Sequence, residues 1–365
     1  MDRRSFLAST AALPLASALP STARAQDRTF TPAPGTWRTY EITTRIEVVN
    51  AGPGTQAWVP VPVVNTAWQK SLDSRFGGNT KTAAEVVEPV YGAKMVHATW
   101  ADGETAPVLE VVSRIQAQDR RYDWSTPASA SAPTETLLPF LKATPLMPTD
   151  GIVLATAEQI TANATTDEQK VRALFDWVVN NTYREPKVRG CGVGDIKAML
   201  ETGNMGGKCG DINALFVGMA RSVGIPARDI YGIRVAKSQF GYKELGAGTA
   251  DITRAQHCRA EVWLAGRGWV AMDPADVGKV MRLETADWIK TTDHPVVTPV
   301  YSALYGGWEG NWMGYNVAHD VALPGSKGAK LGFFMYPQAE TRGERVDSLD
   351  PDTFKYRITA REVAS

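Results

Sequence analysis

One segment constrains this chain more than any other: GGKCGDINALFVGMARSVGIPAR, in which a cysteine opens an amphipathic helix. After Cys209, the apolar residues Ile212, Leu215, Phe216, Met219 and Val223 recur at helical spacing on one face. Gly224 closes the helix and Pro226 prevents its continuation. Gly206 and Gly207 let the backbone turn tightly just before the cysteine and leave room for a substrate carbonyl. The thiol is thereby placed at a helix N-terminus, where the partial positive charge favours thiolate over thiol. The Cys209 N–H belongs to the first turn, has no acceptor within the helix, and is available to a developing oxyanion.

A thiolate that attacks an amide carbonyl needs a proton carrier to expel the amine. Histidine is scarce: His97, His257, His294 and His319 are the four in the chain. His257 opens QHCRAEVWLAGRGWVAMDP, which reads as a strand, a reversal near Ala265 to Arg267, and a second strand ending in Asp273. His257, Arg259, Glu261 and Trp263 share one face of the first strand; Trp269, Ala271 and Asp273 share one face of the second. Register decides whether His257 and Asp273 meet, because a one-residue slip sends a side chain to the other face. A tight turn at Gly266-Arg267 pairs Ala260 with Asp273 and leaves His257 on the opposite face. A reversal centred on Ala265, with a loop of about five residues, pairs His257 directly with Asp273. The second register is the expectation, since it lets Asp273 hold the second ring nitrogen of His257. His319-Asp320, within WMGYNVAHD, ranks lower because adjacent strand residues cannot bond in that fashion.

Around this segment the texture changes twice. Residues 1–25 carry Arg3-Arg4, an alanine-rich apolar stretch and an Ala23-Arg24-Ala25 cleavage pattern, the marks of a twin-arginine export signal and a periplasmic address. The apolar stretch falls short of the ~20 residues a membrane-spanning helix needs, so no stable span is expected after signal removal. Residues 26–149 alternate in the manner of strands, as in TYEITTRIEVVN with Ile42, Thr44, Ile46 and Val48 inward, and are expected to form a β-sandwich-like domain. QAWVPVPVV reads as the return strand, its prolines suiting an edge. STPASASAPTETLLPF reads as the connection to a helical stretch in which Asp167 to Asn181 form a helix capped by Asp167. RDIYGIRVA reads as a strand and KELGAGTAD as a mobile loop. Residues 150–285 form the expected catalytic core and 286–365 a β extension packing on it, ending in the strands KLGFFMY and KYRITAREV.

Together, the GGKCGD helix start, GIPAR after that helix, His257 opening its strand and GW-x-x-x-DP resemble the transglutaminase-like superfamily, and more narrowly its exported bacterial cysteine protease/amidase members. The resemblance is sharp over about Asp167 to Lys279. It implies an α+β fold with a papain-like core: a helix bearing the cysteine packed on an antiparallel sheet. It also implies Cys209 as nucleophile, His257 as acid/base and Asp273 as the orienting residue. A second oxyanion donor is usual upstream of the cysteine, and Tyr183, Trp177 and Asn204 compete for it. The superfamily holds cross-linking acyltransferases, cysteine proteases and peptide N-glycanases, so mechanism is indicated more firmly than substrate.

Other readings carry less. Lys plus Arg and Asp plus Glu each number 39, a balance that argues against nucleic-acid binding. With three cysteines a disulfide-stapled miniprotein is excluded; Cys191 reads as structural or incidental, and Cys258, opposite His257 on its strand, as core. A zinc site from Cys191, Cys209, Cys258 and His257 is weak, since no C-x-x-C pair occurs. GNMGGKC lacks the spacing of a phosphate loop. Tyr301, Tyr305, Trp308, Trp312 and Tyr315 form an aromatic cluster read as core packing before substrate grip. No metal or organic cofactor is expected. The expected partner is a peptide or protein substrate, envelope material by location alone. Acyl transfer to an amine and a catalytically idle binding module are the alternatives to hydrolysis.

Overall fold

The computed structural model describes residues 28–126 and 135–364, so the export signal expected at 1–25 and part of the Ser125–Phe140 connection lie outside the described residues. The architecture is α+β. In the N-terminal part, Tyr40, Ile42, Thr44, Ile46 and Val48 are buried on one face of strand Arg38–Val48, the alternation that the sequence shows. This strand pairs antiparallel with Val108–Ala117 on one side and with Phe354–Val363 on the other; Gln69–Gly78 completes the four-stranded sheet. A five-stranded sheet lies opposite, in the order Glu344–Arg345, Gln338–Thr341, Gln56–Val61, Lys94–Thr99, Thr82–Val87. Ile46, Val59, Val96, Leu109, Val111 and Phe354 fill the space between the two sheets.

Two expectations change here. Gln56–Val61 is not the return strand of Arg38–Val48: it crosses to the opposite sheet. The segment 286–365 does not act only as an extension on the core, because its strands Gln338–Thr341, Glu344–Arg345 and Phe354–Val363 pair into the two N-terminal sheets. Long-range pairing of this kind leaves no local signal in the sequence, since each strand shows only its own alternation.

The helices are α1 (Gly151–Thr161), α2 (Asp167–Asn181), α3 (Ile196–Thr202), α4 (Cys209–Ser222), α5 (Pro274–Leu283) and α6 (Thr298–Ala303). Helix α2 spans the expected residues, but Thr166 caps it, its side chain accepting from the Gln169 N–H at 3.2 Å. Helix α4 is buried from Cys209 through Arg221, packed on the sheet ordered Gly268–Met272, Gln256–Leu264, Ala227–Arg234, Trp312–Asn316 and flanked by α1, α2, α3 and α5. A helix buried all round reads as apolar on every face, which is why its sequence carries so few charges.

Trp308, Trp312 and Tyr315 are buried in the core, whereas Tyr301 and Tyr305 are half-buried with the Arg172 guanidinium over both rings. Glu261, wholly buried on its strand, bridges Arg228 at 2.6 Å and also bonds Arg120 from the N-terminal part. That carboxylate ties the two parts of the molecule together. The loop KELGAGTAD is pinned rather than free: Leu245 and Ala247 are buried, and the Ala247 N–H donates to Ala236 O at 2.8 Å. Among the described residues, no helix is long and apolar enough to cross a membrane.

Candidate active site

Cys209 occupies the first position of α4, and the start of that helix is built by Asp211. The Asp211 carboxylate accepts from the Lys208 N–H at 2.9 Å, closing the first turn, and from the N–H groups of Val193 and Gly194 at 2.8 and 2.9 Å. The second pair draws the loop RGCGVGD flat against the helix start. Gly192, at φ 91°, lies so close that an added Cβ would stand 1.8 Å from the Asp211 carboxylate. On the helix side, a Cβ at Gly210 would stand 2.7 Å from Cys191 O, the same carbonyl that accepts the Gly210 N–H at 2.8 Å. The loop thus carries Cys191 to Cys209. Its glycines, spaced two apart around a cysteine, were the available signal for that approach, which the sequence reading did not use.

His257 lies near the start of strand Gln256–Leu264. The hairpin register differs from the expected one: Ala260 faces Met272 and Leu264 faces Gly268, so Arg259 would stand opposite position 273 if the ladder continued. The reversal is a three-residue loop, with Gly266 at φ 74° and Gly268 at φ 74°. The expected five-residue loop is therefore wrong by two residues in register. A two-residue slip preserves the face, so His257 and Asp273 still share a side of the hairpin. Asp273 leaves the strand, caps α5 by accepting the Asp276 N–H at 3.1 Å, and reaches His257 diagonally: His257 Nε2 lies 2.8 Å from Asp273 Oδ2. Asp276 Oδ2 lies 3.3 Å from the same nitrogen.

A network of polar groups surrounds this pair. Asn213, one turn into α4, donates to Cys258 O at 2.8 Å and to Asp273 Oδ1 at 3.3 Å, and accepts the Ala275 N–H at 3.2 Å. It therefore links the cysteine helix to the carboxylate. Asp276 is paired with Arg234 at 2.6 Å, and Asp273 faces Arg259 at 3.5 Å. Trp312 Nε1 donates to His257 O at 2.8 Å and fixes the strand end.

The electrostatics separate the charges of thiol and imidazole. The Cys209 thiol is held well below the usual thiol range, first by hydrogen bonding from Cys191, then from Cys258 and from His257, against the opposing effect of burial. Cys191 is pushed up, first by that same hydrogen bond and then by burial; Cys258 is pushed up by burial first. Burial is the largest single effect on His257 and lowers it, but the carboxylates of Asp276 and Asp273 together outweigh it and raise the imidazole to about 9. With Nε2 turned to the carboxylates, Nδ1 is the ring nitrogen left for Cys209. The lowered thiol and the raised imidazole both favour the charged form, thiolate at Cys209 and imidazolium at His257. Cys258 is buried in the core, as expected, and Cys191 is structural: its carbonyl accepts the Gly210 N–H and its thiol donates to Gln256 O at 3.4 Å.

Cys209 and His257 line a cleft of about 200 Å³ with Arg184, Arg234, Gln256 and Lys279. Arg184 Nε and Gln256 Nε2 are buried donors without a partner. Tyr183, Trp177 and Asn204, the three competitors for the second oxyanion donor, are absent from its wall. Tyr183 packs on Trp288 with ring centroids 5.5 Å apart, Trp177 packs against the core, and Asn204 is exposed. His319 is buried elsewhere, 3.2 Å from Tyr231 Oη and 3.9 Å from Asp229. Among the described residues, one group of three metal-capable side chains has its ligand atoms within 4.8 Å of one another: His257, Asp273 and Asp276. Its carboxylates already face Arg234 and Arg259, and no thiol belongs to it.

Residues 154–274 match the profile of the transglutaminase-like superfamily. An uncharacterized protein of Haemophilus influenzae is 37% identical over 342 residues, covering 89% of this chain and 91% of that one. Among solved structures, a candidate cysteine protease from Cytophaga hutchinsonii superposes with a TM-score of 0.54 at 14% identity, covering 92% of this chain and 94% of its own. The periplasmic domain of TgpA from Pseudomonas aeruginosa matches at a TM-score of 0.34 and 12% identity, over 72% of this chain and 93% of that domain.

Proposed function

We propose, from the premise that this chain belongs to the transglutaminase-like superfamily, that it is a cysteine-nucleophile hydrolase of amide or peptide bonds. The observation that carries the reading is that Cys209, at the start of α4, and His257 line one cleft, with the imidazole bonded behind it to Asp273 at 2.8 Å. In this reading the Cys209 thiolate attacks the carbonyl carbon, and the C–O π electrons move to oxygen. The Cys209 N–H, at the first position of α4, donates to that oxygen. Gln256 Nε2 and Arg184 Nε, unpartnered within the protein and lining the same cleft, are the side-chain donors on hand for it. Collapse of the adduct breaks the C–N bond while His257 delivers its Nδ1 proton to the departing amine. Water, deprotonated by the now neutral His257, then attacks the thioester and frees the thiolate. Asp273 keeps the imidazole oriented by its Nε2–H throughout.

Hydrolysis is preferred to acyl transfer because the cleft at Cys209 is lined by Arg184, Arg234 and Lys279, a poor environment for an incoming alkylammonium. The placement of Cys209 and His257 on one cleft, with His257 bonded to Asp273, also speaks against an idle binding module. The twin-arginine pattern in residues 1–25 supports a periplasmic site of action. The test is mass-spectrometric detection of hydrolysis of a peptide-amide mixture, with and without methylamine. Free-acid products lost in Cys209→Ala support the reading; methylamides as the main products place the chain with the acyltransferases; products undiminished in Cys209→Ala remove Cys209 from the chemistry.

A further inference from the structure

A groove of about 890 Å³ lies beside the nucleophile, sharing Arg184, Asp251, Arg254 and Gln256 with the cleft at Cys209. One wall comes from the catalytic core. The other comes from the C-terminal strands, with Tyr336, Leu349, Pro351 and Phe354 as its apolar surface. The chain as a whole has a formal charge of zero, yet this groove gathers Arg184, Arg189, Lys208, Arg254, Lys355 and Arg357 around the lone carboxylate Asp251. Arg357 pairs with Asp251 at 2.8 Å and Arg189 with Asp347 at 2.6 Å. Among the described residues, Arg184, Lys208, Arg254 and Lys355 have no ion-pair partner. Arg184 Nε and Gln256 Nε2 have no hydrogen-bond partner either.

Like charges held together inside a concave surface are costly, and a fold has no structural reason to collect them. The strain is visible at Lys208, whose ammonium is pushed down first by burial and next by the Arg184 guanidinium. An anionic occupant relieves both charges. Arginine forks suit carboxylates in particular. The apolar wall suits the backbone and side chains of a peptide, and the groove ends at a nucleophile built for acyl carbons.

We propose that the groove beside Cys209 binds the substrate as an extended acidic peptide segment, its carboxylates held by Arg184, Lys208, Arg254 and Lys355. The inference deepens the hydrolase reading and rests on it. Arg254 and Lys355 are exposed, so they can be replaced without disturbing the core.

The experiment is fluorescence anisotropy of a fluorescein-labelled hexaglutamate peptide with the purified protein, beside labelled hexalysine and a labelled thymidine decanucleotide. Hexaglutamate binds, and its affinity falls by about tenfold between low and high salt, as expected of partly screened ion pairs. Arg254→Glu with Lys355→Glu weakens it by at least about tenfold, while Arg254→Lys with Lys355→Arg, which keeps both charges, retains it. Cys209→Ala binds as the wild type does, so loss of hydrolysis with binding intact concerns the chemistry alone. The proposal is overturned by failure of hexaglutamate to bind, by equal or tighter binding of hexalysine, by preference for the decanucleotide, or by indifference to the charge reversals.

Discussion

His257 and Asp273 are not cross-strand partners, yet His257 Nε2 meets Asp273 Oδ2 at 2.8 Å because Asp273 has left its strand to cap α5. The carboxylate is thereby held from three sides: by the imidazole, by the Asp276 N–H and by Asn213. A side chain so constrained cannot swing to follow solvent, and the ring it holds cannot flip. Replacing Asp273 with Asn should leave the fold intact and lower kcat by about 10⁴, the effect of losing an orienting carboxylate. Steady-state kinetics on any substrate found by product analysis checks this.

Asp276 acts on charge more than on orientation. It is the leading influence raising His257, and it neutralises the buried Arg234 at 2.6 Å. Asp276→Asn is expected to bring the His257 titration down from about 9 toward its ordinary value. Leaving Arg234 buried and unpaired should also cost about 3 kcal/mol of stability. NMR titration of the imidazole reads the first effect and denaturant unfolding the second.

The pH profile follows from the two shifts. Acylation needs Cys209 as thiolate and His257 as imidazolium. Activity therefore rises with pH as the lowered thiol ionises, holds through neutrality, and falls as His257 loses its proton near pH 9. A kcat/KM profile still rising above pH 10 would be inconsistent with His257 as the proton donor.

Cys191 is expected to be a positioning residue. Its neighbouring thiol, which also donates to Gln256 O at 3.4 Å, is the leading influence lowering Cys209. Cys191→Ala should slow alkylation of Cys209 at pH 6 by several-fold, with little change above pH 9. Cys191→Ser, which keeps a donor, should recover part of the loss. A purely structural role would slow alkylation equally at every pH.

Glu261 and Gly192 report on the scaffold. Glu261→Gln removes the charge that binds Arg120 and Arg228 across the two parts of the molecule, and should cost about 3 kcal/mol in denaturant unfolding. Gly192→Ala meets the Asp211 carboxylate at 1.8 Å and sits at φ 91°. It should destabilise by about 2 kcal/mol or more and detach Cys191 from the helix start.

What the sequence made legible was local. The helix beginning at Cys209 and ending before Gly224 could be read from spacing and from its stop residues. The face shared by His257 and Asp273 could be read from parity. The exact register could not: a two-residue turn at Gly266-Arg267 and a five-residue loop centred on Ala265 both suit the sequence, and the three-residue loop 265–267 is neither. The sandwich was legible strand by strand, but the return of Phe354–Val363 to Arg38–Val48 was not, since no residue in either strand encodes its partner. The place of Cys191 beside the helix start was not legible for a related reason: it is set by Asp211 gathering the loop's N–H groups, a contact between residues some twenty positions apart.

The most direct test of the activated pair is the rate of iodoacetamide alkylation at Cys209 against pH, mapped by mass spectrometry, in wild type and in His257→Ala. Fast alkylation persisting to about pH 6 in the wild type, and needing pH above about 8 in the variant, is the predicted result. A Cys209 that is inert at every pH, or that reacts identically in the two proteins, would contradict the thiolate–imidazolium pair.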